Sequence, residues 1–339
     1  MWRARSQLAN PVAAGAQRHA ERDHVFLAIS ADGVTGWGEI SPQPAALNGD
    51  PGIDEVIEEI VGPVRQRLGD VVERIGALPA WGGVQALRGD RAASGWAWAL
   101  VEMALLDGAL RHAGEDLTTR WGVRGTEETV VTVSLIDDAP WDEGRAAARV
   151  RAKVRPGPIA PDVLERLAER GLPTLLDFNA TAHDEDEVLR VWERVAAVVS
   201  VVAVEQPFAP GQVAAHARLV SRGVPVSLDE GVRSTHDVRQ IARYGAASMV
   251  CVKPARVGGL ARARSIIHES RQFGLRVYVG GFFETELARG ASRALARSAC
   301  DQPSDVAPVT WSDASLVVPE PGGLGWRPAD HLTPWAQWG

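Results

Sequence analysis

The chain has 339 residues, 45% of them hydrophobic, which is enough to build a sizeable buried core and excludes global disorder. Its formal net charge of −7 comes from interspersed acids and bases rather than a block. That pattern argues against a nucleic-acid or anionic-membrane surface and leaves a small molecule or a protein as the expected partner.

Of the 36 basic residues only two are lysine, Lys153 and Lys253. The two cysteines, Cys251 and Cys300, provide neither a disulfide framework nor zinc-ligand spacing, which fits a reducing compartment. The opening residues MWRARSQLAN contain no apolar signal region, and the longest apolar stretch, around 195–204, is too short to span a bilayer. The sequence therefore reads as that of a soluble cytoplasmic protein.

Strands come first. Residues 24–30 and 34–40 are apolar-rich runs flanking Ala31-Asp32-Gly33, a hairpin signal in which Asp-Gly supplies the positive φ of a tight turn. Residues 53–68 have helical spacing with acids in the first turns, and 91–113 form an apolar helical run that Gly114 ends. Apolar residues surround much of that second helix, so it is expected to lie buried between layers.

From Thr129 the pattern changes to repeated β-α units. Strands are expected at 130–135, 147–154, 174–178, 201–205, 225–229, 248–253 and 275–280. Helices are expected at 161–170, 184–198, 213–222, 236–244, 260–273 and 285–299. A weaker eighth strand at 306–311 would close a (β/α) barrel of TIM type, and no Gly-x-Gly-x-x-Gly follows any strand to support a dinucleotide fold.

Five consecutive strands end in charge: Lys153, Asp177, Glu205, Asp229 and Lys253, at intervals of 24, 28, 24 and 24 residues, with Gly280 another 27 further on. Strand C-termini point into the mouth where barrel enzymes do chemistry. Three converging carboxylates would repel one another without a cation, and an all-oxygen set favours a hard ion such as Mg²⁺. Such a site suits removal of a proton α to a carboxylate, with a cation stabilising the enolate and a lysine as base. Arg151, two residues before Lys153, points to the same side and would supply the neighbouring charge that lowers an amine pKa. Asn179 and Glu284 are weaker candidates, as loop-lining groups. A Schiff-base aldolase using Lys253 and a non-catalytic binding or scaffold barrel are the competing classes; the aldolase leaves the three carboxylates unexplained.

At these residues the sequence resembles the enolase superfamily, in particular its muconate-lactonizing subgroup and the o-succinylbenzoate synthase / N-succinylamino acid racemase branch. The matching segments are Arg-Ala-Lys-Val at 151–154, Leu-Asp-Phe-Asn at 176–179, Val-Glu-Gln-Pro-Phe at 204–208, Leu-Asp-Glu at 228–230, Val-Lys-Pro-Ala-Arg-Val-Gly-Gly at 252–259 and Val-Gly-Gly-Phe-Phe-Glu-Thr at 279–285. Gly36-Trp37-Gly38-Glu39 and residues 101–108 resemble that family's capping domain and linker helix.

The resemblance implies an α+β capping domain over 1–125, a modified barrel over 126–310 and a C-terminal segment, 311–339, that returns to the cap. It implies Mg²⁺ on Asp177, Glu205 and Asp229, Lys153 and Lys253 as the acid/base pair, and Glu230 and Arg256 as supporting groups. Its reactions would be o-succinylbenzoate-forming dehydration or N-acylamino acid racemisation, with dipeptide epimerisation and cycloisomerisation using the same parts. It also makes a homo-oligomer an expectation. The chain departs from the family's Lys-x-Lys with Arg-x-Lys. Its cap loops, expected at 10–22 and 41–50, match no readable substrate signature.

Overall fold

A computed structural model describes residues 1–14, 17–31, 33–75, 95–123, 129–136, 141 and 146–337. The chain opens with a three-stranded antiparallel sheet of β1 (Trp2–Ala14), β2 (Gln17–Ala31) and β3 (Val34–Ile40), in that order. The β2–β3 hairpin turns at Gly33, whose φ of 76° glycine adopts without a Cβ clash; Asp32 lies outside the described residues. The sequence reading of 10–22 as a loop is corrected here. Val12 pairs with His19, and Ser6 with Arg22, on either side of a register shift between Gln7 and Val12. The segment mixes small apolar residues with polar ones and lacks the β-branched and aromatic alternation that marks a strand, so only its partner strand makes it one.

The helix expected at 53–68 starts on time at Ile53 but runs through a π turn at Ile60–Val64 and on to Ile75. Pro63 sits in that turn, where its missing N–H and bulky ring disfavour the regular ladder. The next helix is Gly95–His112, and the part expected at 91–94 lies outside the described residues. It is buried from Trp96 through Asp107, because β3 crosses one side of it with backbone almost touching backbone. A Cβ on Gly36 would lie 2.1 Å from the Ala104 carbonyl oxygen, so that crossing requires glycine.

The larger layer is a seven-stranded parallel sheet: β4 (Val130–Ser134), β5 (Arg149–Lys153), β6 (Thr174–Asp177), β7 (Val201–Glu205), β8 (Val226–Leu228), β9 (Met249–Val252) and β10 (Arg276–Val279). The strands run in spatial order as in sequence, with helices between them from β5 onward, and curl into a barrel-like wall. The expected eighth strand at 306–311 is not formed. In its place an irregular segment lies beside β10, where Asp305 N donates to the Val279 carbonyl, while Trp311 bridges to Leu8 of β1. Pro303 and Pro308 remove ladder donors there, which explains why pairing stays isolated.

A final hairpin, β11 (Val317–Pro319) with β12 (Trp326–Pro328), packs back on the N-terminal part of the chain: Leu324 N donates to Asp107 of the Gly95–His112 helix, and beyond the hairpin Trp335 N donates to the Met1 carbonyl. Among the described residues no helix is long and apolar enough to cross a membrane.

Candidate active site

The strand register brings the charged ends together. Lys153 lies opposite Asp177, and Asp177 opposite Glu205, across β5, β6 and β7. Asp229 follows β8 and Lys253 follows β9, so the two lysines stand on the second and sixth strands of the sheet. All five side chains are buried. Lys153 and Lys253 both line one cavity of about 250 Å³, which also takes in Arg151, Asn179, Glu230 and Arg256.

Each amine has its own carboxylate. Lys153 Nζ donates to Asp177 Oδ2 at 2.5 Å and to Asn179 Oδ1 at 3.0 Å. Lys253 Nζ donates to Asp229 Oδ2 at 2.7 Å and lies 4.5 Å from the centre of the Phe282 ring, a cation–π contact. Asn179 also caps Asp177 by donating its backbone N–H to Oδ1 at 2.9 Å, from a left-handed conformation with φ 46°.

Arg151 does more than sit beside a base. Its Nη2 bridges Asp177 (2.6 Å) and Glu205, while Nη1 reaches Asp305 at 2.7 Å. Its charge is thus shared among three carboxylates, contacts that the sequence reading of a cation beside Lys153 did not include. Arg256 is similarly committed, to Asp229 Oδ1 at 2.6 Å and to Asp50 of the cap at 2.8 Å.

The charges set the titration. Burial works to raise the Asp177 carboxyl, but Arg151 and Lys153 hold it below its usual range. Asp229 is likewise held low against burial by Arg256 and Lys253. Glu205 goes the other way, pushed up to about 7 by burial, with Asp177 and Asp229 adding to the rise against Arg151. Burial pulls the Lys253 ammonium down, but Asp229 carries it above its ordinary value, opposite to the depression a resting base needs.

Among the described residues no three carboxylate, histidine or cysteine groups converge ready-made on one point. The donor chemistry nevertheless fits a hard divalent cation. Asp177, Glu205 and Asp229 are buried oxygen donors on consecutive strand ends, and the buried Glu230 Oε2 in the same cavity has no partner.

The remaining expected residues have structural contacts. Glu230 Oε1 accepts from Asn48 Nδ2 at 3.3 Å, tying the cap loop to the barrel. Glu284 accepts from Phe282 N at 2.9 Å and pairs with Arg289 at 3.4 Å, which holds the loop after β10. Gly280 faces Lys253 with no room for a side chain.

Several site residues escaped the sequence. Tyr278 donates to Glu205 Oε2, and its position two residues before Gly280 on one strand was a readable signal. Gln206 accepts from both Asp229 N and Gly231 N at 3.0 Å, fixing the β8 loop. His19, Arg22, Asn48 and Asp50 reach the cavity from the cap, and no local pattern announces them.

Residues 141–330 match the family model described as Enolase C-terminal domain-like. The N-succinylamino acid racemase of an Amycolatopsis species is 28% identical over 343 residues, covering 92% of this chain and 89% of that protein. The o-succinylbenzoate synthase of Bacillus subtilis is 26% identical, covering 80% and 74%. The crystal structure of N-succinyl Arg/Lys racemase from Bacillus cereus superposes with a TM-score of 0.82 at 18% identity, covering 97% of this chain and 94% of that one; the likeness is one of fold.

Proposed function

The chain belongs to the enolase superfamily and is an enzyme of it, and from that premise we propose that it is a Mg²⁺-dependent racemase of N-acylated amino acids. The observation that carries the proposal is the pair of buried amines lining one cavity, Lys153 and Lys253, each bonded to a different carboxylate. A 1,1-proton transfer needs one amine on each face of the reacting carbon, and a chain with only these two lysines has both in the cavity.

In this reading Asp177, Glu205 and Asp229 would hold the ion. When bound, Mg²⁺ supplies positive charge against the negative charge that develops on the substrate carboxylate as the α-proton leaves. For one enantiomer Lys153, in its neutral form, takes the proton, and Lys253, entering as the ammonium that Asp229 favours, returns a proton to the opposite face and is left neutral, ready to act as the base in the reverse direction. For the other enantiomer the roles exchange. Asn179 holds Lys153 Nζ at 3.0 Å and Phe282 covers Lys253, so both amines are oriented before substrate arrives.

The 26% identity to an o-succinylbenzoate synthase favours a second reading, syn dehydration to o-succinylbenzoate. It begins with the same proton abstraction but needs one lysine as base.

The test is incubation of enantiopure N-acylamino acids, and separately of the cyclohexadiene precursor of o-succinylbenzoate, in deuterated water with Mg²⁺. Wild type, Lys153→Ala and Lys253→Ala are compared for α-deuterium and product. Racemisation requires each variant to lose exchange from one enantiomer and both to lose racemisation. Near-native exchange by Lys153→Ala from both enantiomers, or no exchange by the Mg²⁺-loaded wild type, overturns the proposal.

A further inference from the structure

Each of the three candidate ligands has its two carboxylate oxygens on different donors. Asp177 Oδ2 accepts from Lys153 and Oδ1 from the Asn179 N–H; Asp229 Oδ2 accepts from Lys253 and Oδ1 from Arg256. Lys153, Asn179, Lys253 and Arg256 all line the cavity. Glu205 is different. Its Oε1 accepts from the cavity-lining Arg151, but its Oε2 accepts from Tyr278, which approaches from the barrel interior.

Tyr278 is fully buried on β10 and packs with Leu175, Ala203, Met249 and Cys251 in an apolar layer. One face of its ring is covered by Arg149, whose guanidinium carbon lies 4.8 Å from the ring centre and whose Nη2 donates to the Pro303 carbonyl at 2.6 Å. The Ser227 hydroxyl lies 3.1 Å from the phenol oxygen. A phenol has one proton and Glu205 receives it, so Ser227 is the donor in that pair. Ser227, Tyr278 and Glu205 thus form a directed chain in which each bond polarises the next. The Glu205 carboxylate is held at both ends, by Tyr278 on Oε2 and by Arg151 on Oε1.

Such a hold bears on ion choice. Mg²⁺ takes about six oxygens in a compact octahedron, several of them from water, and needs only one oxygen from each carboxylate. Ca²⁺ takes about six to eight at longer distances and gains from carboxylates that bind through both oxygens. Binding through both would require the two oxygens of Glu205 to turn to the same ion, whereas the phenol holds Oε2 toward the barrel interior. We infer that Tyr278 is a positioning residue that limits Glu205 to one oxygen for the cation and so selects Mg²⁺ over Ca²⁺. The inference rests on the proposed ligand set and adds to it the residue that sets ion choice.

The experiment titrates wild type and Tyr278→Phe with Mg²⁺ and with Ca²⁺ by calorimetry, with no substrate present. The substitution removes one oxygen atom and no charge, and it is expected to raise the ratio of Ca²⁺ to Mg²⁺ affinity about tenfold, the scale of changes beside a metal ligand. A general loss of packing would weaken both ions alike. Equal weakening, or a ratio within about twofold of wild type, therefore overturns the inference.

If Tyr278→Phe fails to fold, the intact side chain decides. The chain has two tyrosines, and the other, Tyr244, is exposed. Protein grown on meta-fluorotyrosine gives one fluorine resonance from each, assigned with Tyr244→Phe. Mg²⁺ is expected to shift the Tyr278 resonance and leave that of Tyr244 in place; a Tyr278 resonance unmoved at saturating Mg²⁺ overturns the inference. A shifted affinity ratio without racemisation of any N-acylamino acid leaves the inference standing and removes the proposed reaction. Racemisation with an unchanged ratio removes only the inference, and a wild type that binds no Mg²⁺ overturns both.

Discussion

Gly280→Ala tests whether Lys253 is held by packing as well as by charge. A Cβ at this position would lie 2.7 Å from Cys251 Sγ, 2.9 Å from Lys253 Cε and 3.3 Å from Lys253 Cγ. Ordinary non-bonded contacts are about 3.5–4 Å, so the lysine stem must shift by roughly 0.5–1 Å. Overpacking of this kind costs about 1–3 kcal/mol, and a displacement of about 1 Å at a reacting group costs about 100-fold in rate. The shift acts against the 2.7 Å bond from Nζ to Asp229 and leaves Lys153, four strands away, untouched. The expected phenotype is therefore one-sided. In deuterated water the variant still exchanges the α-proton of the enantiomer served by Lys153, while exchange from the other enantiomer and net racemisation fall about 100-fold. Adding Cys251→Ala removes the sulfur clash but not the lysine clash, so urea unfolding should show stability recovering more than rate. Native stability with racemisation within about threefold of wild type would refute the reasoning.

Two further changes probe the charges around this centre. Asp229→Asn withdraws the carboxylate that Lys253 and Arg256 share at 2.7 and 2.6 Å, leaving two buried cations short of one negative charge. A loss of about 3–5 kcal/mol in denaturant unfolding is expected, together with weaker Mg²⁺ binding by calorimetry, and unchanged metal affinity would remove Asp229 from the ligand set. Glu39, at the end of β3, accepts from Thr285 N and Oγ1, both at 2.7 Å, and from Ala288 N at 3.1 Å, so it caps the helix Glu286–Ala299 from the neighbouring layer. Burial works to raise its carboxyl, but His24 and Thr285 hold it below its ordinary value. The unfolded carboxyl, with a pKa of about 4.3, binds a proton that the folded one refuses. Its contribution is therefore complete above that pH and is lost as pH falls through the folded value. Glu39→Gln should be less stable than wild type at pH 7 by urea unfolding, with the gap narrowing below about pH 4; a constant gap would refute the linkage.

The sequence revealed the strand-end residues because each β-α unit spends 24 to 28 residues returning to the same rim, so charge in register with that length marks one face. It did not reveal residues whose placement depends on a partner far along the chain. Arg22 reaches the cavity because β2 pairs with β1 through a stretch lacking the β-branched alternation that marks a strand. Asp305 approaches Arg151 from an irregular segment where proline had already spoiled the reading of an eighth strand. Asp50 meets Arg256 across 206 residues of sequence, from a cap loop with no periodic signal at all. Tyr278 is the exception: it shares a strand face with Gly280, and the period of two that linked Arg151 to Lys153 would have found it.

The shortage of lysine gains physical content from the same contacts. Arginine can replace lysine wherever a fixed positive charge is enough, and Arg151 does so while making bonds to three carboxylates that three different structural elements supply. A lysine there would offer one point charge in place of a planar fork, so Arg-x-Lys alters the wiring of Asp177 and Glu205 as well as the residue beside Lys153. Arginine cannot replace lysine where the proton must leave, since its guanidinium does not deprotonate at usable pH. The two positions that remain lysine, 153 and 253, both reach the cavity, each against its own carboxylate. In the proposed racemase, a chain that uses arginine at 34 other positions distinguishes a group that holds a charge from a group that must be able to give it up.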